Sequence, residues 1–256
     1  MKKAIKPGEV FAILLAFISI APFCYVLALS FLTPNGVTFS YYYDVFLGSP
    51  QYLLRFWKSM GICLCIVAGQ LVVSVLAGYG FAKCEFKGRD TLLFVLMILM
   101  VLPLQVTLAP NYIMLDKLGL LDTYSALIFP SIFVPLGTFI LTQSFKSVSD
   151  DIIDAAKLDG CGLFKMLTKI VLPMNTSGLV CVTLLSFLDG WNMVEQPIAY
   201  IKDFVRYPIS VALAYVPPAD PTLQLVCCIL VVLPPLFLFT YFNRELVEGI
   251  VLAEVK

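Results

Sequence analysis

Apolar residues run through this chain in blocks of about twenty, set apart by short polar stretches. A helix rises 1.5 Å per residue, so about 20 apolar residues cross a hydrocarbon core of about 30 Å. Six stretches reach that length: residues 10–32, 60–82, 92–115, 120–142, 174–200 and 223–242. The pattern predicts an all-α membrane protein with six transmembrane helices in one domain spanning residues 1–256. Pro103 and Pro110 interrupt the third stretch. Each removes a helix hydrogen bond and frees a carbonyl, which in lipid must be met by protein or by a water-lined cavity. That span is therefore expected to face the interior of the bundle. The first span follows Met1-Lys2-Lys3. Its length exceeds an ordinary signal-peptide core, so an uncleaved anchor is expected.

The pattern changes between the fourth and fifth spans. Residues 149–173 hold Asp150, Asp151, Asp154, Lys157, Asp159, Lys165 and Lys169, with apolar residues still recurring at helical spacing. Ser149 is the expected N-cap, with two aspartates in the positive first turn. Gly160 and Gly162 are expected to take left-handed conformations and end the first helix. A second helix restarts at Lys165, and Pro173 is expected to stop it. The prediction is two short amphipathic helices joined at a glycine elbow.

Charge orients the chain. With the N-terminus inside, twelve of the 17 Lys and Arg fall on inner segments: Lys2, Lys3, Lys6, Lys83, Lys87, Arg89, Lys146, Lys157, Lys165, Lys169, Arg244 and Lys256. Arg55, Lys58, Lys117, Lys202 and Arg206 lie outside. Both termini and the elbow are then cytoplasmic. Basic and acidic residues balance at 17 each, so no net charge draws the chain to nucleic acid. The chain is 60% hydrophobic and has no His, which excludes H-E-x-x-H zinc sites and His-based triads. No catalytic or metal site is expected. The eight Cys fall in spans or on the inner side, and small apolar packing residues are expected rather than disulfides. No G-x-x-x-x-G-K-[ST] occurs, so the chain itself holds no nucleotide by a P-loop.

The fifth span is the least lipid-like, reading FLDGWNMVEQPIAY. A charge at the centre of a membrane helix costs about 2.5–3.5 kcal/mol on insertion scales, so Asp189 and Glu195 should avoid lipid. Asp189, Asn192, Glu195 and Gln196 can share a broad face, with Trp191 beside them. Flat rings with amides and carboxylates suit a polyhydroxylated ligand. Interhelical hydrogen bonding and an interfacial Trp account for the same residues without a ligand. The first outer loop, residues 33–57, is rich in Tyr and Phe. It suits either an aromatic belt at headgroup depth or a docking surface. The outer loop at 201–221, with Pro217-Pro218, gives no clear signal.

Asp154-Ala155-Ala156, then Gly160, Ile170, Leu172 and Pro173, stand at the spacing of the EAA loop of ABC importer permeases, and the chain resembles that family. Asp159 also fits, while Asp154 replaces the usual Glu and shortens the reach by one methylene. Pro103, Gln105 and Pro110, the Gly119-Leu120…Thr123 turn, and Trp191-Asn192 are similar to the carbohydrate-uptake, maltose-type branch. The resemblance implies that Asp154, Ala155, Ala156, Asp159, Gly160, Leu163, Phe164, Ile170, Leu172 and Pro173 couple to an ATPase. Ile152 and Ile153 join Leu163 and Phe164 as its expected grip. It implies a substrate path that includes Gln105, Asp189, Trp191, Asn192, Glu195 and Gln196. The implied partners are a second, homologous permease, two ATP-binding subunits carrying ATP-Mg, and an extracytoplasmic substrate-binding protein in a prokaryotic plasma membrane. The expected function is import of a sugar or oligosaccharide. Glycerol phosphate or another polar solute is the alternative. An ion-coupled secondary transporter would leave the elbow without a role.

Overall fold

The computed structural model describes residues 7–33, 36–48, 50–215 and 221–254. Lys2, Lys3, Lys6, Lys256 and the pair Pro217-Pro218 lie outside the described residues. Four helices among those described are long and apolar enough to cross a membrane, or up to six if each sharply bent pair is one span.

Helix α1 (Pro7–Phe31) leads into a short antiparallel pair, β1 (Leu32–Thr33) with β2 (Gly36–Val37). Helix α2 (Ser40–Tyr43) and a π-turn at Asp44–Gly48 follow. Helix α3 (Pro50–Lys83) starts ten residues before the expected second span. Its first turns carry Gln51, Arg55 and Lys58, polar residues that precede the apolar run at 60–82 although the backbone is already helical.

The third span is broken. Helices α4 (Arg89–Val101) and α5 (Leu104–Lys117) meet at 104°. Leu102 is extended (φ −66°, ψ 125°), as a residue before proline prefers, and Pro103 opens α5. Pro110 stays inside α5, so only one of the two prolines breaks the span. The fourth span is α6 (Ser125–Ile132) followed by α7 (Pro135–Lys146), with Val134 extended before Pro135.

The elbow comprises α8 (Asp150–Leu158), α9 (Leu163–Met166), a π-turn at Leu167–Val171 and α10 (Leu172–Met174). Pro173 does not stop this helix. It lacks an N–H and crowds the preceding turn, and the ladder opens into the π-turn just before it. The break falls at Asn175, where the chain bends by 84° into α11 (Thr176–Trp191). The expected fifth span is further cut after Trp191, before α12 (Glu195–Tyr200). A short α13 (Ile209–Ala212) and the long α14 (Pro221–Glu254) complete the chain.

Two compact units divide the described chain. The first is Met1–Leu54 with Leu213–Leu233. In it Ser30 and Tyr42 share a 2.6 Å hydrogen bond, and Tyr42 stacks on Phe31. The second is Arg55–Ala212 with Pro234–Lys256. One of its cores joins Tyr79 of α3, Leu141 and Phe145 of α7, Ile153 and Met166 of the elbow, and Val182 of α11. Another joins Ile62 and Ile66 of α3 to Leu115, Leu127 and Tyr200.

Candidate functional site: an anchored elbow and an acceptor-lined cavity

Ser149 Oγ accepts the Asp151 N–H at 3.2 Å and caps α8. Gly160 has φ +75°, which lets the Cys161 N–H reach back to the Ala156 carbonyl. Gly162 is extended (φ −70°, ψ 160°), so one glycine, not two, makes the left-handed turn. Ile153 and Ala156 face inward and are buried against Tyr79 and Phe145, so Ile153 is not free to grip a partner. Ile152, Leu163 and Phe164 remain exposed, joined by Leu158 at 90% exposure. Asp154, Ala155, Asp159, Gly160 and Pro173 are exposed, while Ile170 and Leu172 are half-buried against the core. Asp154 pairs with Lys157 at 2.9 Å, and that hydrogen bond raises the lysine's pKa.

Three side chains fasten the elbow to the helices above it. Lys83, at the end of α3, donates to the Val148 carbonyl at 2.6 Å and to Asp150 Oδ1 at 2.7 Å. Its side chain is only 5% exposed, and its hydrogen bond holds the Asp150 carboxyl below the usual range. Tyr79 donates to Met166 Sδ at 3.3 Å. Asn175 accepts from Ser144 Oγ at 2.8 Å and donates to the Val171 carbonyl at 2.8 Å. The amide thus satisfies a carbonyl at the point where the helix turns.

The far end of α11 opens onto a cavity of about 650 Å³. Asp189, Asn192, Glu195 and Gln196 all line it. Gln105 of α5 donates to Glu195 Oε1 at 2.8 Å, bringing together two residues ninety positions apart. Trp191 lies elsewhere. It is 1% exposed, stacked on Phe187 and edge-on to Phe56, so its faces are occupied by protein.

A second cluster of polar contacts ties the turn between α5 and α6 to the segment after α12. Asp122, in the turn between α5 and α6, accepts the N–H groups of Lys202 and Asp203, each at 3.1 Å. Its own N–H donates to the Tyr200 carbonyl at 2.9 Å. Arg206 donates to the Asp122 carbonyl and pairs with its carboxylate at 3.4 Å. Ser59 Oγ accepts the Ile209 N–H at 2.8 Å, and the Arg55 guanidinium lies 4.5 Å over Phe204.

Residues 70–249 match the family described as binding-protein-dependent transport system inner membrane component. The chain belongs to this family. This inner membrane component is 27% identical to an arabinooligosaccharides transport system permease protein, AraQ, of Halalkalibacterium halodurans, over 94% of this chain and 93% of the relative. It is 25% identical to the polygalacturonan/rhamnogalacturonan transport system permease protein YtcP of Bacillus subtilis, over 96% of each. It is 26% identical to the sn-glycerol-3-phosphate transport system permease protein UgpE of Brucella melitensis, over 77% of this chain and 72% of the relative. Among solved structures, a bacterial ABC transporter involved in alginate import has a similar fold. It has a TM-score of 0.79 at 20% identity, covering 93% of this chain and 95% of that one. The permease is a membrane-embedded transport subunit, not an enzyme.

Several residues of this permease's site carry no signal in the sequence. Gln70 sits mid-way along α3, is 5% exposed and lines the cavity. An amide inside a long apolar run was the available hint. Lys83 reads as an ordinary loop residue and Asn175 as part of the fifth apolar run, because their partners are distant in sequence or follow from an unforeseen bend.

Proposed function

We propose that this chain is a permease subunit of an ATP-driven importer, lining the path of a saccharide and coupled through the 149–173 elbow to separate ATPases. One observation carries the reading: α11 begins at the elbow, locked there by Asn175, and ends in the cavity with Ser186 and Asp189. A displacement of the elbow is a displacement of the cavity wall. The saccharide follows from relatives named for arabinooligosaccharide and for polygalacturonan/rhamnogalacturonan transport. The chain crosses the membrane six times as one transmembrane domain, counting each bent pair as one span, with both termini in the cytoplasm. Its partners are a second permease, two ATP-binding subunits that hold ATP-Mg, and a substrate-binding protein outside.

Alternating access follows from this attachment. ATP binding draws the two ATPases together, and the elbow moves with them as a rigid body. Leu158, Leu163 and Phe164 supply the grip, at about 1.5–3 kcal/mol for each side chain fully buried. Asp154, Asp159 and the Gly160 turn present the polar rim. Tyr79, Lys83 and Asn175 carry the motion into α3 and α11.

Gly160→Pro tests the linkage. The native φ of +75° is closed to proline, whose ring fixes φ near −65°. The variant should copurify with its ATPases and hydrolyse ATP while binding-protein-dependent uptake falls at least about ten-fold, roughly 1.4 kcal/mol of coupling. Uptake at the wild-type rate in proteoliposomes would remove the elbow from the mechanism.

A further inference from the structure

We infer that the cavity of this chain accepts neutral saccharides and rejects uronates and phosphate esters. The inference rests on the saccharide-path reading above and narrows its substrate class. The two charged side chains among the described lining residues are Asp189 and Glu195, both acidic; none is Lys or Arg. Glu195 Oε1 already receives the Gln105 amide, and Oε2 is buried without a partner. A buried acceptor left open is costly, and a ligand donor would relieve it.

The hydroxyls of the wall sharpen this bias. Ser186 donates to the Val182 carbonyl at 2.7 Å, Ser131 to Leu127 at 2.8 Å, and Thr107 to Leu104 at 2.8 Å. All three protons are committed to their own helices, so toward a ligand these oxygens can act only as acceptors. With the two carboxylates, they make a wall rich in acceptors. Its donors are amides: Gln70, Asn192 and Gln196. Gln70 is buried in the wall, and its amide can donate to a ligand oxygen.

A sugar hydroxyl both donates and accepts, so it can meet these carboxylates, hydroxyl oxygens and amides in turn. An ionised carboxylate or phosphate group offers few or no donors. It would also stand against acidic side chains with no Lys or Arg among the described lining residues to pair it. The lining therefore matches the chemistry of an arabinooligosaccharide, a neutral pentose oligomer. It opposes that of polygalacturonan or sn-glycerol-3-phosphate, for which other relatives are named.

The test uses the detergent-purified complex of this permease with its native partner permease and ATPases, without the binding protein. Saturation-transfer NMR measures the affinity of arabinotriose, trigalacturonate and glycerol 3-phosphate. Arabinotriose should bind at least about ten-fold more tightly than either anion, a difference of about 1.4 kcal/mol. The double variant Asp189→Asn, Glu195→Gln should narrow that ratio to within about three-fold, chiefly by tightening the anions. Should the pair fail to assemble, Glu195→Gln alone gives the same readout in smaller measure. Anions that bind as tightly as arabinotriose overturn the inference and leave the saccharide path standing, as does a ratio untouched by the substitutions. Binding of none of the three overturns the path reading and the inference together.

Discussion

Asp122 shows what a single residue can do beyond its neighbours in sequence. Its φ of +59° is uncommon for a side chain with a Cβ, though Asp is among the residues that tolerate it. The Asp203 and Lys202 N–H groups, then the Arg206 charge, draw its carboxyl below the usual carboxylate range. A depressed folded-state pKa means stability that is present above the unfolded value of about 3.9 and lost as pH falls through the folded value. Asp122→Asn keeps an acceptor but loses the charge, so its Tm at pH 7 should lie below wild type and above Asp122→Ala. The gap between wild type and Asn should close as the purified complex is melted at successively lower pH, from 5 towards about 3. A constant gap would mean the carboxylate charge contributes nothing. Ser149 makes the contrast in legibility. Its partner is the Asp151 N–H two residues on, a local relation that a capping rule reads directly. The partners of Asp122 lie about eighty residues away, in a loop with no periodic pattern, and no rule of spacing reaches them.

At the scale of elements, apolar run length finds where helices are but not where they break. Pro103 breaks its span and Pro110 does not, though both delete the same hydrogen bond. The difference lies in how freed groups are met by neighbours, which the local sequence does not contain. The break at Asn175 falls two residues beyond Pro173, not at the proline itself. It forms because an amide from the turn satisfies the Val171 carbonyl and is itself held by Ser144 of α7. Close approach of α7 and α11 permits that bond. A Cβ on Gly178 would stand 2.6 Å from Ser144 Oγ and 2.9 Å from Ser144 Cβ. Gly178→Ala must push the helices apart and should destabilise the permease by about 1–3 kcal/mol. Adding Ser144→Gly clears both clashing atoms. If packing is the cause, the double variant should melt higher than the sum of the two single losses predicts. Strict additivity in thermal unfolding would assign the cost to backbone conformation instead.

The larger unit, Arg55–Ala212 with Pro234–Lys256, carries two polar layers separated by the length of one helix. From Ser59, which holds the Ile209 N–H, to Lys83, which holds Val148 and Asp150, α3 advances about 36 Å at 1.5 Å per residue. That distance exceeds a hydrocarbon core of about 30 Å, so each layer can sit at its own water interface. The clasp of Asp122, Lys202 and Arg206 belongs to the first, and the elbow with Lys157, Lys165 and Lys169 to the second. The excess of basic residues on the elbow side predicts a cytoplasmic elbow. Lys202→Cys should therefore react with a membrane-impermeant maleimide in intact spheroplasts. Lys165→Cys should react only after permeabilisation, and so should native Cys161, a partly exposed free thiol on the elbow. Both substituted side chains stand on exposed positions of this chain, so lack of reaction cannot be ascribed to burial within it. Labelling in the reverse order would turn the molecule over. The exposed Leu158–Phe164 patch would then face away from ATP, and its coupling role would fall with the orientation, whatever the cavity binds.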